Sequence, residues 1–533
     1  MPERKKNSFL GGAAVLAAGI VIVKILGAIY KIPIVNVLGS SYADFQNAYY
    51  IYALLLTIST AGLPVALSKM VAAADARGEE RQVQKIFRVS LGVFLALGVA
   101  SFFVMFFGAD WLADLLNDPL ASKSIRALSP AVICVGCLAS FRGYAQGHSN
   151  MVPTAVSQII EALCKLVIGL TLAVLAVKAG RSGDTAAAMA IVGVTTGSFV
   201  ALAYMILEYL RSRRPARTDE ETAPAGSILR ELLAIAIPIT LTSSAVSVIN
   251  LIDTSLVQGR LQKSLEMTLD QSRELFSAYS GVMTLYNLPA SLIIAITASI
   301  IPAVSASLAR SDQRGAARVA RASLRITALL VLPMGAGLSV LAKPIVQLLF
   351  HRLDPEVSGP LLAMLGIASV FVCIMSVSNS ILQAYGYERL PVLIMILGGV
   401  VKIVVNFNLV AIPSVNINGA PIGTLCCFGL AAVLDLIVIR RILPRPPRYG
   451  RMFRGPLLAT VLMALSARGS YWLASLFLGN TLSTLLAMAV AAAVYFFLVV
   501  FLQLISREDL SLMPKGEKLA DLLRLPDRRH GTR

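Results

Sequence analysis

Long apolar runs separated by short, mostly basic stretches recur from one end of this chain to the other, and that rhythm leaves few folds open. A helix needs about 20 apolar residues to cross the hydrocarbon of a bilayer. Only helices or closed barrels satisfy every backbone N–H and C=O group there. The runs predict spans near residues 8–35, 42–74, 86–108, 124–147, 152–177, 186–210 and 228–257. A second set follows near 275–308, 322–342, 359–385, 389–413, 418–442, 452–475 and 480–505, which makes about fourteen. Charged residues are 14% of the 533, against roughly a quarter in soluble domains, and hydrophobic residues are 57%. The expected fold is therefore an all-α polytopic membrane protein.

The net charge of +18 suggests nucleic acid at first sight, but no soluble basic domain exists to bind it. Lys and Arg instead accumulate on alternate loops. With the N-terminus inside, the inner segments carry more than three times as many as the outer ones, the bias expected of cytoplasmic loops. An even number of spans then puts both termini in the cytoplasm. Arg4, Lys5 and Lys6 precede an apolar stretch that runs to Val35 without a clear cleavage site, so it reads as an uncleaved first span. The six cysteines sit mostly in apolar segments. Cys134 and Cys137 form a CxxC by spacing only, and their apolar flanks mark them as small residues on a helix face.

Two halves are legible. The polar stretch 211–227 reads as a cytoplasmic linker between an N-terminal six-helix lobe, 1–210, and a C-terminal one, 228–442. Residues 443–507 add two helices, and 508–533 form a basic amphipathic tail. Both lobes begin on the same side, so their repeat must be parallel. The loop from Ala76 to Leu91 recurs from Ala309 to Leu324. The turn from Gln146 to Pro153 recurs from Tyr385 to Pro391, and a lysine follows each proline at matching depth, Lys165 and Lys402.

The stretch Phe141 to Glu161, which includes Arg142, Gly143, Tyr144, Gln146, Gly147, Asn150, Pro153 and Gln158, resembles the signature of the stage V sporulation protein B-like polysaccharide transporters. That family lies within the multidrug/oligosaccharidyl-lipid/polysaccharide (MOP) flippase superfamily. Shorter matches include Lys24 to Gly27, Gly62 to Pro64, Asn250 to Thr254, and Pro289 with Pro302. The resemblance implies a MATE-like MOP fold of two six-helix lobes around a cavity of alternating access. It implies a polyprenyl-diphosphate-linked saccharide as cargo, most typically the peptidoglycan precursor lipid II, flipped across a bacterial cytoplasmic membrane. The Gram-negative members place arginines in the second and eighth helices, where this chain has Tyr49, Tyr50, Tyr52, Tyr286 and Asn287. The sugar therefore stays open, as does a MATE-type drug/cation antiporter.

A diphosphate crossing a low-dielectric slab needs fixed cations on its path. Lys24, Lys31, Lys165 and Lys402 lie at span depth, where each lysine costs about 2.5–3.5 kcal/mol to insert, and Arg142 ends the fourth span. These five are the candidate substrate-binding residues. Lys31 is equally placed to snorkel beside Pro33. Glu161 sits four residues before Lys165 and could pair with it. Asp253, with Asn250 three residues before it, is the candidate coupling-ion site for Na+ or H+, or an internal ion-pair partner. Asp435 has similar standing but is expected to pair with Arg440 or meet solvent. Tyr42, Phe45, Tyr49, Tyr50 and Tyr52 read as an interfacial aromatic belt.

No metal-ligand motif, phosphate-cradling loop or paired acidic cluster stands on any loop, so no enzyme and no cofactor is expected beyond the coupling ion. The expected partners are the lipid-linked saccharide, membrane lipids and the cell-wall synthesis machinery. Nucleic acid is excluded, and the transporter is expected to act as a monomer.

Overall fold

A computed structural model describes residues 2–212, 222–444 and 446–504. Apart from short turns, these residues are helical, and no strand occurs among them. The chain divides into two compact units, Met1–Gly281 and Val282–Arg533.

The first unit contains α1 (Pro2–Leu38), α2 (Tyr42–Thr60), α3 (Leu63–Arg77), α4 (Glu80–Phe107), a short α5 (Ala109–Leu115) and α6 (Ser122–Gly147). It continues with α7 (Val152–Cys164), α8 (Leu170–Lys178), α9 (Gly183–Ser212) and α10 (Ala225–Ser264), while α11 (Leu269–Ala309) runs on into the second unit. That unit holds α12 (Gln313–Val340), a short α13 (Ala342–Leu349), α14 (Pro355–Ala384), α15 (Arg389–Leu409), α16 (Gly419–Ile442), α17 (Tyr449–Ser475) and α18 (Asn480–Phe501).

Among the described residues, eleven segments are long and apolar enough to cross a membrane, and one of them, Ala18–Arg77, holds two passages, α1 and then α2 with α3. With α10 and α11, which are 40 and 41 residues long, the described chain makes fourteen long helical passages. The protein is an all-α multi-pass membrane protein.

The predicted helix 42–74 is broken in the structure. Its amides change partner at the break, where Ala61 N–H still donates to Thr57 O but Gly62 N–H donates to Thr240 Oγ1 of α10. A Cβ at Gly62 would stand 2.1 Å from the Ala236 carbonyl oxygen, so glycine lets α10 come into backbone contact at the break. Pro64 then opens α3, where its missing N–H costs nothing.

The two units share an internal order of long helix, short helix, central helix: α4, α5, α6 in one and α12, α13, α14 in the other. The central helices are the most enclosed, with 72% of the α6 apolar window and 61% of the α14 window buried. α6 packs on α2, α3, α4 and α9, whereas α14 packs on α12, α13 and α16. Each central helix ends in a turn with a left-handed residue, Ser149 or Gly386, three positions before the next helix. α10 packs on α2, α3 and α4 within the first unit. Of the expected linker, residues 213–221 lie outside the described residues, as does the whole basic tail 508–533.

Candidate functional site

The helical ladder changes pitch at Lys165. Between α7 and α8 the residues Lys165–Gly169 form a π-helical turn, a one-turn widening that is frequent at functional sites. Gly169 of this turn faces Gly193 of α9, and a Cβ on Gly193 would lie 2.3 Å from the Gly169 Cα. Two glycines in register thus bring α9 against the widened turn, backbone to backbone.

The turn aims Lys165 at aromatic rings rather than at an acid. Its ammonium stands 4.6 Å from the centroid of Tyr49, 4.9 Å from Tyr30 and 5.9 Å from Phe45. Ring quadrupoles attract a cation by about 2 kcal/mol or more when water is excluded. The rings form a connected set, Tyr30 beside Phe45 and Phe45 stacked on both Tyr42 and Tyr49. Tyr42, Phe45 and Tyr52 are buried inside the unit, so the aromatic run is not an interfacial belt. Glu161 does not take the lysine. It accepts from Arg142 Nη2 at 2.5 Å and from Ser198 Oγ at 3.3 Å, while Arg142 Nε donates to Ser157 Oγ at 2.9 Å. A guanidinium reaching over from α6 gives Glu161 a charge-assisted bond, and the aromatic faces hold the amine. Among the described residues no carboxylate makes an ion pair with Lys165.

Of these groups, Tyr30, Tyr49, Tyr52, Arg142, Glu161, Lys165 and Ser198 line one cavity of about 550 Å³ in the first unit. Lys24, Arg142 and Lys165 supply three cations to its wall and Glu161 the one carboxylate, so two positive charges remain uncompensated. Tyr30, Gln146 and Gln158 add polar groups. The Tyr30 hydroxyl is buried and has no hydrogen-bond partner among the described residues. Sequence reasoning passed over Tyr30, whose signal was its spacing of six residues from Lys24 in a span otherwise poor in polar groups.

The remaining predicted residues lie elsewhere. Lys31 is in electrostatic range of Lys24 and Lys165 but does not line the cavity. Asp253 is buried in α10 while Asn250 is exposed, and neither lines it. Lys402 is buried in α15 of the second unit, a continuous helix without the widened turn of its counterpart. Asp435 is fully buried in α16 and neither oxygen has a hydrogen-bond partner among the described residues, so the expected solvent exposure or Arg440 pairing does not hold.

One cluster had no sequence signal. Arg273, 5% exposed, donates to Asp44 through Nε at 3.0 Å and through Nη2 at 2.6 Å, and its Nε is 3.6 Å from Asp118. Asn47 donates to Asp118 at 2.7 Å and accepts from Gln258 at 2.9 Å. Burial pushes the Asp118 carboxyl above the usual carboxylate range. The network ties α2, the segment before α6, α10 and the start of α11 together.

Fold and cavity together define a polytopic helical membrane transporter with a positively charged, aromatic-walled chamber. The chain belongs to the polysaccharide biosynthesis protein family, whose model matches residues 9–308, and the MatE family model matches residues 238–408. It is 26% identical over 541 residues to an uncharacterized membrane protein, YabM, of Bacillus subtilis (strain 168), covering 99% of both chains. It is also 26% identical over 456 residues to the lipid II flippase MurJ of the same organism, covering 82% of this chain and 83% of that one. A solved lipid II flippase MurJ in an inward closed conformation superposes with a TM-score of 0.70 at 14% identity, over 92% of this chain and 99% of that one. The fold is therefore that of the MOP superfamily of transporters and flippases.

Proposed function

We propose that this chain flips a polyprenyl-diphosphate-linked saccharide, with lipid II as the cargo, from the inner to the outer leaflet of a bacterial cytoplasmic membrane. The observation that carries the reading is the chamber of the first unit. Lys24 and Lys165 leave it with unneutralised positive charge, and the buried Tyr30 hydroxyl has no hydrogen-bond partner among the described residues. An anion with several oxygens answers both, since an ammonium desolvated without one is costly. Aromatic walls suit the flat faces of sugar rings as well as the lysine. The family match and the likeness to the lipid II flippase MurJ of Bacillus subtilis support the same cargo class.

In this mechanism Lys165, preset by Tyr30, Tyr49 and Phe45, and Lys24 receive the diphosphate. Arg142 stays clamped by Glu161 and Ser157 and orients the wall. The polyprenyl tail remains in lipid while two six-helix lobes, 1–210 and 228–442, alternate access. The loop charge bias supports cytoplasmic termini, and the buried Asp253 is the candidate for a coupled Na+ or H+. Lys31 and Lys402 are support cations for the passage of the headgroup. The protein acts as a monomer that hands its cargo to the cell-wall synthesis machinery.

The MatE match keeps a drug/cation antiporter as the second reading, but a cationic drug would meet a chamber already bearing excess positive charge. The test is rescue of bacteria depleted of their lipid II flippases, followed by assay of which lipid-linked intermediate reaches the outer leaflet. Rescue that fails with wild-type chain at normal membrane levels, or survives Lys24→Met with Lys165→Met, would overturn the lipid II reading.

A further inference from the structure

A basic cavity of the second unit is separate from the chamber just described, and it has no lysine in its wall. Arg318, Arg321 and Arg325 stand on α12 at spacings of three and four residues, which puts them on one face. Arg448, immediately before α17, and Arg451 in its first turn face the same cavity of about 690 Å³. Among the described residues, no lining side chain is acidic, and Arg318, Arg448 and Arg451 make no ion pair. The guanidinium groups of Arg318, Arg448 and Arg451 around one space repel one another unless an anion occupies it.

The end of α18 completes the wall. Gln503 takes a left-handed conformation, φ 49°, and so turns the chain back as Leu504 N–H donates to Val499 O at 3.0 Å. Leu504 then lies against Gly455 of α17, where a Cβ would meet its Cδ2 at 2.5 Å. Leu504, Met452, Pro456 and Val319 give the cavity an apolar side beside its arginine side. The arginines of α12 sit where that helix passes from its charged first turns, Gln313 to Arg325, into the uncharged run from Ile326 to Val340. That is the depth of a headgroup layer, and basic pockets between spans on the cytoplasmic side hold lipid phosphates.

We infer that this cavity binds the phosphodiester headgroup of an anionic phospholipid, with the guanidinium forks of Arg318, Arg448 and Arg451 on its phosphate oxygens and Met452, Pro456 and Leu504 against its glycerol and first methylenes. Arginine forks match phosphate in shape as well as charge. The apolar side decides between sources of the same chemistry, because a soluble polyphosphate has nothing to place there. The inference does not depend on the flippase reading.

The test uses the full-length protein in nanodiscs made of phosphatidylcholine with one-tenth phosphatidylglycerol. Lipid that stays with the protein on mild extraction is quantified, with inorganic pyrophosphate as the soluble competitor. The wild type is expected to retain phosphatidylglycerol over phosphatidylcholine at a ratio roughly a hundredfold that of the bilayer. The triple variant Arg318→Gln, Arg448→Gln, Arg451→Gln should lose that preference, a drop of roughly a hundredfold in relative affinity at about 1 kcal/mol per basic residue. The triple Lys variant, which keeps the charge and guards against misfolding, should retain most of it. Retention of the two lipids in their bilayer proportion by the wild type, or an unaltered preference in the Gln variant, overturns the inference. So does displacement of the lipid by millimolar pyrophosphate, which would assign the cavity to a soluble polyphosphate.

Discussion

Helix α2 borders two clusters of charge built in opposite ways. Tyr49, Tyr52, Leu56 and Thr60 look into the chamber, where cations outnumber the carboxylate. Asp44 and Asn47 look into the buried network around Arg273, where two carboxylates share one arginine. In the network every side chain is buried and hydrogen-bonded within it, and Asp118 Oδ1, which lacks a hydrogen bond, still stands 3.6 Å from Arg273 Nε. In the chamber Lys165 meets only ring faces, and the Tyr30 hydroxyl has no hydrogen-bond partner among the described residues. The paired cluster holds helices together, and under the proposed function the chamber, with open volume and cations in excess, takes its missing partner from the cargo. Both arrangements avoid leaving a bare charge in hydrocarbon, and they differ in whether the protein or a ligand completes the shell.

The sharpest test of that contrast is Arg273→Met. It would leave Asp44 and Asp118 facing each other without a cation, and breaking a buried pair from one side costs about 3–5 kcal/mol. Thermal unfolding in detergent should fall accordingly. A loss within the range of a surface substitution would mean that the network is not what joins α2, α10 and α11.

Lys165→Met should do the reverse. The melting temperature is expected to hold or rise, since a desolvated cation is removed, while transport of lipid-linked precursor falls ten- to a hundredfold, the loss of one charged hydrogen bond of about 1.5–3 kcal/mol. A variant that melts early and transports normally would place Lys165 with the structural cluster instead.

Asn47→Leu strips Asp118 of its 2.7 Å donor and leaves Gln258 half-paired. Unsatisfied buried groups cost about 1–3 kcal/mol, again read as thermal stability with transport per folded molecule unchanged. The mildest change is Tyr49→Leu. It removes the nearest of the three rings that share the Lys165 ammonium and with it about 1 kcal/mol of the summed cation–π attraction, so substrate affinity should weaken about fivefold. Tyr49→Phe, which keeps the ring, should stay close to wild type.

Much of this architecture was written in the order of residues. The number of long helical passages and the placement of Lys24, Lys165 and Arg142 at span depth follow from signals that act over about one span. Insertion of an apolar run depends on the summed transfer free energy of its own residues. The loop charge bias and the echo of Lys165 in Lys402 are likewise local readings. The family signature from Phe141 to Glu161 carries both halves of the Arg142 and Glu161 clamp, although not the fact that they meet.

What tertiary structure alone decided is the choice of partner. Glu161 lies four residues from Lys165, yet it bonds Arg142, 19 positions away, and Arg273 finds Asp44 across 229 positions. An isolated helix would have favoured the near pair by a few tenths of a kcal/mol. That preference is small against what burial imposes, since each charge taken out of water needs a full shell and the best shell is assembled from whichever helices pack there. The close approach of Gly193 to the widened turn at Gly169, and of Gly62 to α10, set which helices those are. Charge placement in depth is a property of the segment, whereas neutralisation is a property of the packed bundle.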